Sequence, residues 1–269
     1  RASSIAYWIR GRSTSVIISL GIALVAGRNR VPRPATGKTA LVTGASRGIG
    51  RAIALALHAV DAHVIAAARP SDALNALAVS LGDRGTIWGA DATSDDFLSR
   101  IEGLDSLDIL VNNLGVNRPE PFTDVSDENL DFVLDMNVRA TFRITREAVK
   151  KMSSGANVVS ITSQMGHIGS PDRTVYCMTK HAIEGLTKAM AVELAPQGIR
   201  INSVAPTFVE TPLTRPMLSD PKFMEFVKDM IPMGRIADVS DVADAVIYLC
   251  TAKMVTGHSL LVDGGWTAR

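Results

Sequence analysis

From Lys38 onward, seven short runs of β-branched and small apolar residues alternate with stretches of helical periodicity, and that alternation leaves few architectures open. The runs are TALVTG (39–44), HVIAAA (63–68), TIWGAD (86–91), DILVNN (108–113), NVVSIT (157–162), RINSVA (200–205) and SLLVDG (259–264). Between them lie segments such as IGRAIALALHAV and DENLDFVLDMNVRATFRITREAVKKM, whose apolar residues recur every three or four positions. Strands that are apolar on both faces need helices on both faces, so the pattern predicts a doubly wound α/β domain with a parallel, seven-stranded sheet. Seven such units fill residues 38–269, leaving no room for a second core, and no internal repeat is visible.

Composition excludes little and points nowhere exotic. An apolar share of 46% and a charged share of 20% are ordinary for a globular protein. The net charge of +1 gives no global field for nucleic acid or an anionic membrane, and no basic tract is interleaved with aromatics. Nucleic-acid binding is therefore unsupported. Cys177 and Cys250 stand far apart without a CxxC pattern, which reads as two buried thiols in a reducing, cytoplasmic compartment. The five histidines show no metal-ligand spacing, so no metal is expected. Residues 1–60 contain no Asp or Glu, and SVIISLGIALVAG (Ser15–Gly27) is too short for a confident membrane span. With no clear cleavage site, residues 1–37 are expected to be an extension that packs loosely or not at all, ending in the Pro-containing linker RNRVPRPATGK. A targeting segment and a gene-start artefact are the alternatives.

In LVTGASRGIGRAIAL, Gly44, Gly48 and Gly50 stand where the first strand turns into a helix. Glycines there let the backbone turn sharply and approach a pyrophosphate seated on the helix N-terminus. The same residues spell GxSxG, the nucleophile elbow of serine hydrolases, and Asp241 and His258 could complete a triad with Ser46. That rival needs earlier strands and a loop to supply an oxyanion hole, and nothing of the kind precedes Thr39. Further along, Tyr176 and Lys180 are four residues apart on a helical pattern and so share a face.

Taken together, these motifs resemble the short-chain dehydrogenase/reductase family over about Lys38–Arg269. TGASRGIG resembles its cofactor loop, and NNLG (Asn112–Gly115) its NNAG motif with Leu114 in place of alanine. MNV (136–138) carries the family's catalytic asparagine, Ser163 precedes Tyr176 by thirteen residues, and VDGGW (262–266) resembles the closing strand. The resemblance implies a Rossmann-type fold and a catalytic set of Asn137, Ser163, Tyr176 and Lys180. For the cofactor it implies contacts from Gly44, Ser46, Arg47, Gly48, Ile49 and Gly50. Asp91 matches the position that meets adenine, and Asn113 and Gly115 follow the fourth strand. Pro206, Val209 and Thr211 match the loop beside the nicotinamide. There the family commonly has Pro-Gly, and this chain has Pro206-Thr207. Finally, LTRPMLSDPKFMEFVKDMIPMGR (213–235) resembles the mobile substrate lid, although its Met and Phe residues equally fit ordinary core packing.

The chemistry explains those residue types. A tyrosine near pKa 10 is a poor base at neutral pH, and an ammonium one turn away is expected to lower that value. Lys180 is also expected, by resemblance, to hold the cofactor ribose, and Asn137 to hold a water linking Lys180 to solvent. Ser163 can hydrogen-bond the reacting oxygen. At the end of the second strand, Ala68 and Arg69 replace the carboxylate that would accept from the ribose 2′-hydroxyl of NAD. With Arg47 nearby, this favours NADP(H), with NAD(H) as the alternative. The substrate is read only as a small-molecule secondary alcohol/ketone couple. NRPEPF (117–122) and SQMGHIGSPDR (163–173) are similar to relatives acting on sugar-derived and polyol substrates, and other relatives reduce 3-oxoacyl thioesters. Gln164, His167, Asn117 and Arg118 are candidates to bind hydroxyls or a carboxylate, or equally to cap loops. Resemblance also implies a homo-oligomer, expected to be a tetramer, paired through the helices at 126–152 and 174–195.

Overall fold

In the computed structural model, residues 37–269 are described, and the expected N-terminal extension lies, up to residue 36, outside them. All seven expected strands form: β1 (Thr39–Thr43), β2 (His63–Ala68), β3 (Gly85–Gly89), β4 (Ile109–Asn112), β5 (Asn157–Ile161), β6 (Arg200–Pro206) and β7 (Ser259–Val262). They make one parallel sheet in the order β3-β2-β1-β4-β5-β6-β7, with Val42 level with Ala66 on one side and Val111 on the other. The order reverses between β1 and β4. In such sheets a crevice opens beyond the C-terminal ends of the two strands flanking that reversal.

Alternation along the strands assigns each face its helices. Ala40, Val42, Val64, Ala66, Ile109 and Val111 face one layer, built by α1 (Gly48–Ala59), α2 (Asp72–Leu81) and, near the C-terminus, Val239–Thr251. Ile53, Ala54 and Leu57 of α1 are fully buried there, spaced at helical intervals. Leu41, Ile65, Ala67, Leu110 and Val158 face the other layer, against Phe97 and Ile101 of α3 (Asp95–Glu102) and Ile144 and Ala148 further on. Burying a Leu, Ile or Phe side chain stabilises by about 1.5–3 kcal/mol, so these two layers hold the sheet rigid beneath the crevice.

The long helical pattern at 127–152 is not one helix. It divides into α4 (Asp127–Leu134), a π turn at Asp135–Arg139 and α5 (Ala140–Val149). The following helix, α6 (Thr174–Leu194), runs 21 residues without a break. Two short helices, α7 (Arg215–Leu218) and α8 (Pro221–Met230), cover a separate apolar cluster of Leu218, Val227, Ile231 and Trp266. Rings of Phe208, Phe223, Phe226 and Trp266 meet there edge-on or tilted. The Met- and Phe-rich segment therefore has a core of its own, beside the site. The last helix, α9 (Val239–Thr251), opens with a capping box between Asp238 and Asp241. Among the described residues no helix is long and apolar enough to cross a membrane.

Candidate active site

The glycines after β1 are set by contact as well as by turning. Gly44 and Gly48 have φ of +64° and +56°, a region that side chains rarely occupy. A Cβ on Gly50 would run into the Gly44 carbonyl and the Asn113 side-chain amide. Asn113 in turn donates its amide to the Thr43 and Gly44 carbonyls, 3.2 Å each, and its backbone N–H to Thr43 Oγ1. Loops leaving β1 and β4 are thus pinned together at the crevice. Thr211 closes against Gly48 from the other side, 3.3 Å from where a Cβ would sit.

Helix α1 begins without a side-chain cap: Arg47 occupies the N-cap position and no acidic residue stands in the first turn. Helices α2, α3 and α4 are each capped by a serine, Ser71, Ser94 and Ser126. Free N–H groups at α1, beside exposed Arg47, fit the phosphates of a dinucleotide. Ser46 and Ile49 lie on the same turn, with Ile49 packed against the core. Across the sheet, Arg69 is exposed just after β2, and its charge helps hold the Asp91 carboxyl below the usual range. Hydrogen bonds from the Thr93 N–H and hydroxyl are the larger causes of that lowering.

Beyond β5 and β4 the expected catalytic residues converge. Ser163 follows β5, where its hydroxyl donates to Gln164 Oε1 (3.0 Å) and accepts from the Met165 N–H. Tyr176 and Lys180 stand one turn apart near the start of α6. Burial pushes the Tyr176 phenol up to about 12, outweighing the lowering influence of the nearby Ser163 hydroxyl. Lys180 is 5% exposed, donates to the Ile161 carbonyl (3.0 Å), and is pushed down to about 8 by burial, with Glu184 raising it. Its Nζ lies 5.5 Å from the Tyr176 ring centroid. Burial thus outweighs the expected lowering of the tyrosine by its lysine. The ammonium is turned to the end of β5 instead, and desolvation disfavours both charged forms. The loop after β4 borders the same space at Gly115, where a Cβ would lie in ordinary contact, 3.4 Å from Lys180 Nζ and 3.6 Å from Asn137 Oδ1.

Asn137 reaches this space from the π turn. Its side chain accepts from the Val116 N–H (2.8 Å) and donates to the Val116 carbonyl (2.9 Å) and Thr179 Oγ1 (3.0 Å). It therefore fixes the loop after β4 to α6. Val209 is buried and bridges to Ala237, while Pro206 ends β6 and Thr207 has a buried hydroxyl without a hydrogen-bond partner.

A match to a family model described as enoyl-(acyl carrier protein) reductase covers residues 44–267. L-xylulose reductase from Bos taurus is 38% identical over 237 residues, covering 86% of this chain and 97% of the relative. The chain belongs to the short-chain dehydrogenase/reductase family. A 3-oxoacyl-[acyl-carrier-protein] reductase from Rickettsia bellii is 37% identical over 235 residues, with the same coverage of the two chains. Among solved structures, one from Beutenbergia cavernae, described as an NAD(P)-dependent gluconate 5-dehydrogenase with bound NADP at low occupancy, superposes with a TM-score of 0.83. It is 32% identical, with 88% of this chain and all of that chain covered. The short-chain dehydrogenase/reductase fold thus accounts for the described domain from the glycine loop to the closing turn.

The hydrolase alternative is not assembled. Asp241 is bound by both guanidinium nitrogens of Arg235 and by the Asp238 N–H, and no hydrogen bond joins it to Ser46 or His258. The loop candidates also divide. Gln164 holds Ser163, and Arg118 lies over the Phe132 ring, 3.8 Å from its centroid. His167 meets Ser259, 2.8 Å away, and the Asn117 side-chain oxygen Oδ1 is buried without a hydrogen-bond partner. One functional group escaped the sequence reading altogether. Glu184 is buried one turn beyond Lys180, and its hydroxyl partners come from β6, β7 and the residue that follows β5.

Proposed function

We propose that this chain is an NADP(H)-dependent oxidoreductase interconverting a secondary alcohol and a ketone through Ser163, Tyr176, Lys180 and Asn137. The observation that carries this reading is the grouping of Ser163, just after β5, with Tyr176 and Lys180 of α6. The loop after β4 joins that group to the glycine turn before α1, touching the turn at Asn113 and approaching Lys180 at Gly115. The nicotinamide cofactor, when bound, supplies or accepts the hydride. Tyr176, held protonated by burial, gives its proton to the ketone oxygen during reduction. Ser163 hydrogen-bonds the same oxygen and stabilises charge developing on it. Lys180 would offer its ammonium to the ribose hydroxyls of a bound cofactor, and Asn137 ties the loop after β4 to α6.

Arg69 and Arg47, with no carboxylate at the end of β2, support NADP(H) over NAD(H). Relatives crystallised with NADP or NADPH agree with that preference. For the substrate, L-xylulose reductase and the gluconate dehydrogenases favour sugar-derived and polyol carbonyls, and the Rickettsia relative keeps 3-oxoacyl thioesters as the second class. The test is a panel of ketoses, sugar acids and 3-oxoacyl thioesters, assayed with NADPH and with NADH at the nicotinamide absorbance band. Turnover of a carbonyl with a higher kcat/KM for NADPH supports the reading. Preference for NADH contradicts the cofactor assignment, and serine-directed phosphonate labelling at Ser46 would revive the hydrolase.

A further inference from the structure

Along α6 the residues Tyr176, Lys180 and Glu184 recur every four positions and so stack on one face. Glu184 is 5% exposed, as deep as Lys180. Its Oε1 accepts from Thr162 Oγ1 (2.5 Å) at the end of β5 and from Ser259 Oγ (3.0 Å) in β7. Its Oε2 accepts from Ser203 Oγ (2.7 Å) in β6. The loop carrying Ser163 closes over the same spot. A Cβ at Gly166 would sit 3.2 Å from both Glu184 Cγ and the Lys180 carbonyl oxygen, and His167 Nε2 lies 3.5 Å from Glu184 Oε1. Because Ser259 gives its only proton to Glu184, His167 Nε2 must be the donor to Ser259 Oγ.

A buried carboxylate is a costly way to pin a helix to a sheet, since apolar side chains of similar volume do that at least as well. Here three hydroxyls satisfy it, one from β6, one from β7 and one from Thr162 just after β5. The titratable groups beside Lys180 are Tyr176 and Glu184, one turn to either side on α6, and His167, from the loop after β5, faces Glu184; Thr162, β6 and β7 present hydroxyls.

We infer that Glu184 is a positioning residue for Lys180, its buried carboxylate keeping the neighbouring ammonium charged in a site that excludes water. The inference rests on the assignment of Lys180 to the reaction proposed above. Desolvation alone drives a buried ammonium toward its neutral form, and Glu184 acts against that drift. A neutral Lys180 neither attracts the ribose hydroxyls as strongly nor favours a developing tyrosinate, so the carboxylate sets the alkaline limit of activity without touching substrate.

The test is Glu184→Gln in the full chain, which is isosteric. Its carbonyl oxygen can still accept from Thr162 and Ser259 while its amide donates to Ser203, so the fold has what it needs. Lysine-selective carbon NMR, with Lys180→Met assigning the resonance, reads the ionisation midpoint of Lys180 directly. The midpoint should fall by about one pH unit in Glu184→Gln and stay near the wild-type value in Glu184→Asp. The alkaline limb of the kcat/KM profile for NADPH-driven reduction should move down with it. Glu184→Met combined with Ser203→Ala and Ser259→Ala, with Thr162 keeping the Val204 carbonyl as its acceptor, serves as a second charge-free variant should the glutamine lower the melting temperature. An unmoved Lys180 midpoint in a folded charge-free variant overturns the inference. Activity surviving in Lys180→Met would instead overturn the catalytic reading, even where the midpoint shifts as expected.

Discussion

Arg69 follows Ala68 at the exposed end of β2, the place where an acidic residue would favour the ribose of NAD. A charge-assisted contact to a 2′-phosphate contributes about 1.5–3 kcal/mol, or roughly one to two decades of affinity. Arg69→Ala should therefore weaken NADPH binding by about that factor and leave NADH nearly unchanged. Ala68→Asp should go further by repelling the phosphate, and both effects should shrink as salt rises. Dissociation constants for the two cofactors decide it, and a wild type that binds NADH more tightly would make Arg69 an ordinary surface residue. This expectation could be raised from the sequence because it turns on two adjacent side chains. The ionisation of Tyr176 could not. The four-residue spacing correctly put Lys180 beside it, but where the ammonium points depends on the Ile161 carbonyl, which the chain supplies nearly twenty positions earlier.

Among the elements, the seven strands stand where their apolar runs put them, with ends shifted by one or two residues. The π turn between α4 and α5 gave no such signal, because neither Pro nor Gly marks it. One extra residue in that turn brings Asn137 inward, 2% exposed, to hold Val116 and Thr179. Glu184 was hidden for a related reason, since Thr162, Ser203 and Ser259 share no local pattern. A second long-range contact closes α9. Arg200, at the start of β6, donates to the carbonyls of Leu249 (2.6 Å), Cys250 (3.1 Å) and Ala252 (3.0 Å), satisfying the orphan end of that helix. Arg200→Met should cost about 2 kcal/mol and lower the melting temperature by roughly 4–8 °C. A melting temperature equal to wild type would show that water satisfies those carbonyls equally well.

For the whole molecule, some of the exposed apolar side chains among the described residues stand on helices that already bury another face. Phe132, Phe142, Met178 and Val192 are exposed in this way on α4, α5 and α6. A second apolar face calls for a partner, and a pair of such helices meeting its own copy gives a twofold contact. Sedimentation at micromolar concentration should therefore report a homotetramer, and a monomer there would rule it out. Fold and glycine loop could be read from the chain because each rests on neighbours in sequence. Assembly rests on surfaces drawn from separate helices, which periodicity alone leaves unassigned.

The account stands most directly on the proton carried by Tyr176. Removing only the phenolic oxygen, in Tyr176→Phe, leaves the glycine loop, Arg69 and Lys180 in place. With a carbonyl that the wild type reduces, kcat should fall by about two decades or more while NADPH affinity stays nearly the same. A Tyr176→Phe protein that keeps wild-type kcat would contradict the mechanism.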